Sequence, residues 1–177
     1  MFAIEIIGQA TMSNFKEKLA QIKCFVFDVD GVLTNGQLLV THEGQQLRIM
    51  NIKDGYALQL AVQKGYHIII ISGAVSEGVL KRLNGLGLKV VHTGVKNKKV
   101  LLDQLLSDHN FTYEQVLYMG DDMPDLEAMA KCGVPTCPFD AVQQIKNISI
   151  YISEKKGGDG CVRDVIEQVM TLHSKWE

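Results

Sequence analysis

Two aspartates spaced by one residue, Asp28 and Asp30, close an apolar run and stand immediately before Gly31 in the stretch C-F-V-F-D-V-D-G-V-L-T, which runs from Cys24 to Thr34. Side chains alternate faces along a strand, so both carboxylates are expected on one face, and the glycine lets the backbone turn closely around whatever they hold. Crowded carboxylates repel, and a divalent cation or a shared proton between them relieves the repulsion. Three further groups carry chemistry: Ser72-Gly73, a lysine cluster at Lys96, Lys98 and Lys99, and the acidic run Asp121-Asp122-Met123-Pro124-Asp125.

These groups must be positioned by the elements around them. Near-continuous apolar segments, suited to strands buried on both faces, fall at Cys24–Phe27, His67–Ile71, Lys89–His92, Val116–Met119, Val134–Cys137 and Ile148–Ile152. Helical patterns lie between them, at Gly55–Lys64, Val75–Leu86, Lys98–His109, Pro124–Cys132, Ala141–Lys146 and Cys161–Leu172. Asp54 suits an N-cap, Pro124 an N1 position, and Gly87 and Gly133 helix stops. This alternation predicts an α/β fold, a doubly wound, Rossmann-like and mainly parallel sheet, whose ligands lie beyond the carboxyl ends of the strands. Asp28, Ser72 and Asp121 follow three such ends and should converge on one rim. The irregular segment Gly36–Asn51, centred on Gly44, reads as a hairpin projecting from the sheet edge.

The bulk properties narrow the setting. At 177 residues, the chain fits a single domain over about residues 22–173, with a lead-in at 1–21 and a tail at 174–177. A hydrophobic fraction of 46% and a formal net charge of -2 imply no broad basic surface for nucleic acid or anionic lipid. The four cysteines show no C-x-x-C spacing, so neither a zinc site nor a disulfide is expected. No apolar run approaches the roughly 20 residues that span a bilayer. The opening M-F-A-I-E-I-I-G-Q-A lacks a basic leader and reads as an extension ahead of Met12, leaving the cytoplasm as the expected location.

The order D-x-D, strand-end Ser, Lys, then G-D-x-x-x-D, with each group after its own strand or opening its own helix, resembles the haloacid dehalogenase superfamily of phosphohydrolases from Cys24 onward. The resemblance implies that Asp28 attacks phosphorus while Asp30 serves as acid and then base. It further implies Mg²⁺ held by Asp28, the backbone carbonyl of Asp30 and Asp121, with Ser72 and Lys98 on the phosphoryl oxygens. Asp125 is expected to orient Lys98 or a metal-bound water, and Asp122 to stand behind the ligands. Those roles match the reaction, because phosphate monoesters hydrolyse very slowly unless a nucleophile, charge neutralisation and leaving-group protonation act together. A calcium loop starting at Asp28 is excluded by Leu39, which falls where a bidentate Glu is required. An all-helical diphosphate site is excluded by the strand before Asp121, and a phospho-receiver domain by the order of Lys and acids.

The hairpin and one helix consume the stretch between Asp28 and Ser72, leaving no room for a cap over the site. Either the substrate is large, or another subunit supplies walls. The segments D-V-D-G-V-L-T-N-G, N-I-K-D-G-Y-A-L, I-I-S-G, G-V-K-N-K, Y-M-G-D-D-M-P-D and K-G-G-D-G-C-V-R-D are similar to the 3-deoxy-D-manno-octulosonate 8-phosphate phosphatase family. That likeness implies a homotetramer built around the hairpins, a phosphorylated sugar acid as substrate and a role in lipopolysaccharide precursor synthesis. It also implies substrate contacts from Thr34, Gly73, Ala74 and Arg82, and places Gly157, Gly158 and Arg163 near the substrate of their own or an adjacent subunit. One departure stands out: most such enzymes carry a charged residue after the Ser/Thr-Gly pair, Arg in octulosonate enzymes and Glu in a related nononate 9-phosphate group, and here it is Ala74. A nononate 9-phosphate phosphatase and a broad-specificity sugar phosphatase therefore stand as alternatives, with a non-catalytic phospho-binding scaffold as the reading from another class.

Overall fold

The structure is a computed structural model that describes residues 15–177. The extension read ahead of Met12 lies outside the described residues. Among the described residues from Cys24 onward, strands and α-helices follow one another as β1 (Cys24–Phe27), β2 (Leu39–Val40), β3 (Gln46–Leu47), α1 (Ile52–Gln63), β4 (His67–Ile71), α2 (Glu77–Gly85), β5 (Val90–His92), α3 (Lys98–Asp108), β6 (Val116–Met119), α4 (Leu126–Met129), β7 (Val134–Cys137), α5 (Gln143–Ile148), β8 (Tyr151–Ile152) and α6 (Cys161–Leu172). Six strands form one parallel sheet in the order β5-β4-β1-β6-β7-β8. β2 and β3 make a separate antiparallel hairpin, closed at its base by a bridge between Thr34 and Met50.

Parity along β1 divides the core and aims the site. Phe25 and Phe27 pack with Ile68, Ile70, Leu117 and Met119 beneath α1 and α6, whereas Cys24 and Val26 pack with Ile69, Ile71, Val116 and Tyr118 beneath α3 and α4. Asp28 continues the Cys24–Val26 face. It therefore meets α3 and Tyr118. The chain reverses its direction of travel across the sheet at β1, with β4 on one side and β6 on the other, the kind of switch point at which open α/β sheets bind ligands.

Where element boundaries depart from the sequence reading, side-chain bonds explain the difference. Helix α1 starts earlier than Gly55, because Asn51 caps it by accepting from Lys53 N at 2.8 Å. Asp54 is not that cap. Its buried carboxylate accepts from Arg163 N at 2.7 Å and so ties α1 to the first turn of α6. The last strand begins at Tyr151, since helix α5 runs through Ile148 and Ser149 Oγ donates back to Ile145 O.

Candidate active site

Past Phe27 the backbone leaves the sheet, and residues 29–33 make one wide turn closed by Thr34 N donating to Val29 O at 3.0 Å. Thr34 is fully buried, and its hydroxyl accepts from Gly31 N and Gly36 N while donating to Val29 O. The structure thus makes Thr34 a brace of this turn. Gly31 is required twice over: its φ of +89° is left-handed, and a Cβ there meets Asp121 Oδ2 at 2.0 Å. Gly157 presses on the same turn, with its would-be Cβ 2.0 Å from Gly31 O, and Gly158 N donates to Val32 O at 2.9 Å. These two glycines support the turn from behind.

The carboxylates that crowd together are not the pair at Asp28 and Asp30. Oxygens of Asp28, Asp121 and Asp125 lie within 4.8 Å of one another. Lys98 is the cation among them, with Nζ 2.9 Å from Asp28 Oδ1 and 2.8 Å from Asp125 Oδ1. Tyr118 donates to the same Asp125 oxygen at 2.8 Å. Asp125 is thus paired with Lys98. Asp30 lies on the turn instead, and Arg48 holds it from the hairpin, with Nε 2.7 Å from Oδ1 and Nη2 3.2 Å from Oδ2.

Electrostatics follow from burial. Loss of water, and then the neighbouring Asp125, push the Asp28 carboxyl up to about 7 against the opposing pull of Lys98. Burial, followed by Asp28 and Asp125, lifts Asp121 to about 8. For Lys98, burial works against the charged form, but Asp28 and Asp125 outweigh it and the ammonium is held above its ordinary range. Burial and Asp125 likewise keep the Tyr118 hydroxyl protonated. Three carboxylates surround one ammonium, and the buried oxygens Asp121 Oδ1 and Asp125 Oδ2 have no hydrogen-bond partner. An all-oxygen donor set with orphaned buried atoms fits a hard divalent cation.

Asp28, Asp30, Ser72, Gly73, Ala74, Lys98, Asp121, Asp122 and Asp125 line one cavity of about 320 Å³. Ser72 Oγ accepts from Ala74 N at 3.2 Å, fixing the loop after β4 on its rim. Asp122 is exposed and accepts from Met123 N, capping the short turn before α4. Beside this cavity, and sharing the Arg48–Asp30 and Ala74–Val75 boundaries with it, lies a groove of about 920 Å³. Gln46, Leu47, Arg48, Met50, Val75, Val79 and Arg82 line it. Arg82 thus faces this groove rather than the aspartates. Arg163 reaches neither: it pairs with Glu167 at 3.0 Å, stacks over Trp176 and lines a third cavity with Lys53 and Asp159.

Arg48 and Tyr118 are the members that sequence reasoning missed. Tyr118 could have been found by parity, because its register partner Val26 lies on the face of Asp28. For Arg48 the signal was weak: it is the only lysine or arginine between Gly36 and Asn51.

A parallel sheet whose central strand ends in a buried aspartate, with a lysine and two more acids closing on it, defines a phosphoric monoester hydrolase of the haloacid dehalogenase superfamily. No family model matches the chain. The chain is 30% identical over 161 residues to the 3-deoxy-D-manno-octulosonate 8-phosphate phosphatase of Yersinia pestis, covering 91% of this chain and 86% of that one. To the Haemophilus influenzae enzyme of the same name it is 31% identical, covering 90% and 89%. Among solved structures, the 3-deoxy-D-manno-octulosonate 8-phosphate phosphatase of Moraxella catarrhalis, in complex with magnesium ion, phosphate ion and KDO, superposes with a TM-score of 0.90 at 32% identity over 93% of this chain and 95% of that one. A putative haloacid dehalogenase superfamily hydrolase of Legionella pneumophila gives 0.94 at 29% identity over 97% and 94%. The chain belongs to the 3-deoxy-D-manno-octulosonate 8-phosphate phosphatase family.

Proposed function

We propose that this chain hydrolyses 3-deoxy-D-manno-octulosonate 8-phosphate to the free sugar acid and phosphate, with Mg²⁺, in the cytoplasmic synthesis of lipopolysaccharide precursors. The observation that carries the reading is the cluster of Asp28, Asp121, Asp125 and Lys98 at the floor of a small cavity that adjoins an arginine-bearing groove. The small cavity suits a phosphoryl group, and the groove suits the body and carboxylate of a sugar acid.

Asp28 attacks phosphorus as the bond from phosphorus to the sugar oxygen breaks, giving an aspartyl phosphate. Asp30 gives its proton to the departing oxygen, then takes one from the water that cleaves the acyl phosphate and restores Asp28. Lys98 and Ser72 bind the phosphoryl oxygens, and Asp125 keeps Lys98 aimed. Asp28, Asp121 and the Asp30 carbonyl would hold Mg²⁺, with Asp125 beside them, and the cation supplies the neutralisation that lets a phosphate dianion approach a carboxylate. Arg82 is the groove's candidate for the sugar-acid carboxylate, supported by its place on the lining.

A screen of phosphorylated sugar acids with added Mg²⁺ tests the substrate. The octulosonate 8-phosphate is expected to give the highest kcat/KM, by about tenfold or more over hexose phosphates, the scale of one net hydrogen bond. Comparable values across unrelated phosphosugars would establish the broad-specificity alternative, which Ala74 motivates.

Assembly is a separate part of the proposal. Leu39, Val40, Leu47 and Ile49 on the hairpin are 65%, 60%, 47% and 77% exposed, and Ile52 beyond it is 80% exposed. Apolar side chains on so short a hairpin gain most by packing against other copies. Sedimentation is expected to show a tetramer that an Ile49→Glu, Leu39→Glu variant shifts towards smaller species; a monodisperse monomer in the parent would remove this part.

A further inference from the structure

The two aspartates of the D-x-D pair are held in different ways. Asp28 is gripped from the sheet side by Lys98, itself anchored by Asp125. Among the described residues, the Asp30 carboxylate has one hydrogen-bonding partner, Arg48. The Arg48 side chain is 3% exposed, whereas that of Asp30 is 35% exposed towards the cavity. Its Nη1 donates to Gln46 O at 3.1 Å, and the Thr34–Met50 bridge pins the hairpin base two residues further on. The guanidinium is thus immobilised before it meets Asp30.

We propose that Arg48 is a positioning residue for Asp30, so that the hairpin sets the aim of the group that protonates the leaving oxygen. The inference rests on the reading of Asp30 as acid and base. A carboxyl on a turn has free χ angles, and proton transfer demands hydrogen-bond reach of the leaving oxygen. The two bonds divide the work between the carboxyl oxygens. The 2.7 Å bond from Nε anchors Oδ1, while Oδ2, at the longer 3.2 Å contact, is the oxygen that carries the proton to the sugar alkoxide as its bond to phosphorus breaks. In the second half-reaction the same oxygen, now ionised, takes the proton of the attacking water. Arg48 stays charged throughout and exchanges no proton.

The test is the dependence of kcat/KM on leaving-group basicity, measured with 4-nitrophenyl, phenyl and alkyl phosphates for the parent, Arg48→Met, Arg48→Lys and Asp30→Asn. A nitrophenolate leaves without a proton and an alkoxide does not. In Arg48→Met the loss is expected to grow along the series, from a few-fold to roughly 100-fold, the penalty for a misplaced catalytic group. Arg48→Lys, which keeps one donor but not the fork, is expected to fall between, and adding Arg48→Met to Asp30→Asn should cost little more. A uniform loss along the series would overturn the inference, as would a loss carried by KM alone, which would make Arg48 a substrate contact. Should Arg48→Met fail to fold, the slope of Arg48→Lys decides. Rejection of every sugar acid by the parent would sink the substrate reading, yet the aryl and alkyl series would still test Arg48.

Discussion

Asp28→Asn is expected to lower turnover by about 10⁴-fold or more, the scale reached when a hydrolase loses its nucleophile, because an amide oxygen cannot form the acyl phosphate. The same variant should not melt earlier than the parent at pH 8 without divalent cation. Asp28 is buried among Asp121 and Asp125, and its carboxyl titrates at about 7 rather than at its ordinary 3.8. An acid whose pKa is raised by folding holds a proton in the native state that the unfolded chain has already released. Stability therefore falls as pH rises from about 4 to about 7 through this group, and Asp121, raised to about 8, extends the fall. Asparagine carries no such cost at pH 8. Activity assays paired with thermal melts separate the two effects, and a melting temperature several degrees below the parent would mean that lost activity reports damage to the fold.

The second large effect belongs to Lys98. It opens α3 next to the Asn97 cap, where a cation is of the wrong sign for the helix dipole, so its placement must be maintained by the carboxylates it faces. Lys98→Met leaves Asp28 and Asp125 buried and facing each other without their ammonium, which costs about 3–5 kcal/mol for a buried pair broken on one side. Urea unfolding without divalent cation should show most of that loss at pH 8 and much less at pH 5, where Asp28 and Asp121 hold protons in the native state. A loss independent of pH would assign Lys98 a packing role only. Turnover is expected to fall by at least about 100-fold, since the proposed reaction assigns Lys98 to the phosphoryl charge.

The large elements were legible because burial on both faces leaves a plain mark. The strands at Cys24, His67, Val116 and Val134 are continuous apolar runs, and their ends delivered Asp28, Ser72 and Asp121 to one rim as expected. Tertiary partnerships were less legible. Strand parity placed Asp28 and Asp30 together, but the chain leaves the sheet after Phe27, and the acids that join Asp28 come from beyond β6. Asp54 has the composition of a local cap, yet it serves a helix more than a hundred residues away, as the bond to Arg163 N shows. Arg48 sits in a segment with no periodicity to read. Motif matching reads Thr34, Gly157 and Gly158 as substrate contacts, and carries no sign that their bonds and contacts also brace the turn that bears Asp30. What a short motif lacks is the partner that arrives from another element.

Acid-quenching the chain during turnover of a phosphate monoester with Mg²⁺, reducing it with borohydride and sequencing the peptides by mass spectrometry tests the central claim most directly. An aspartyl phosphate is converted by this treatment to homoserine, which is expected at position 28 alone and only when substrate and Mg²⁺ are both present. Homoserine at Asp30, Asp121 or Asp125, or full turnover with no modified residue, would contradict the account.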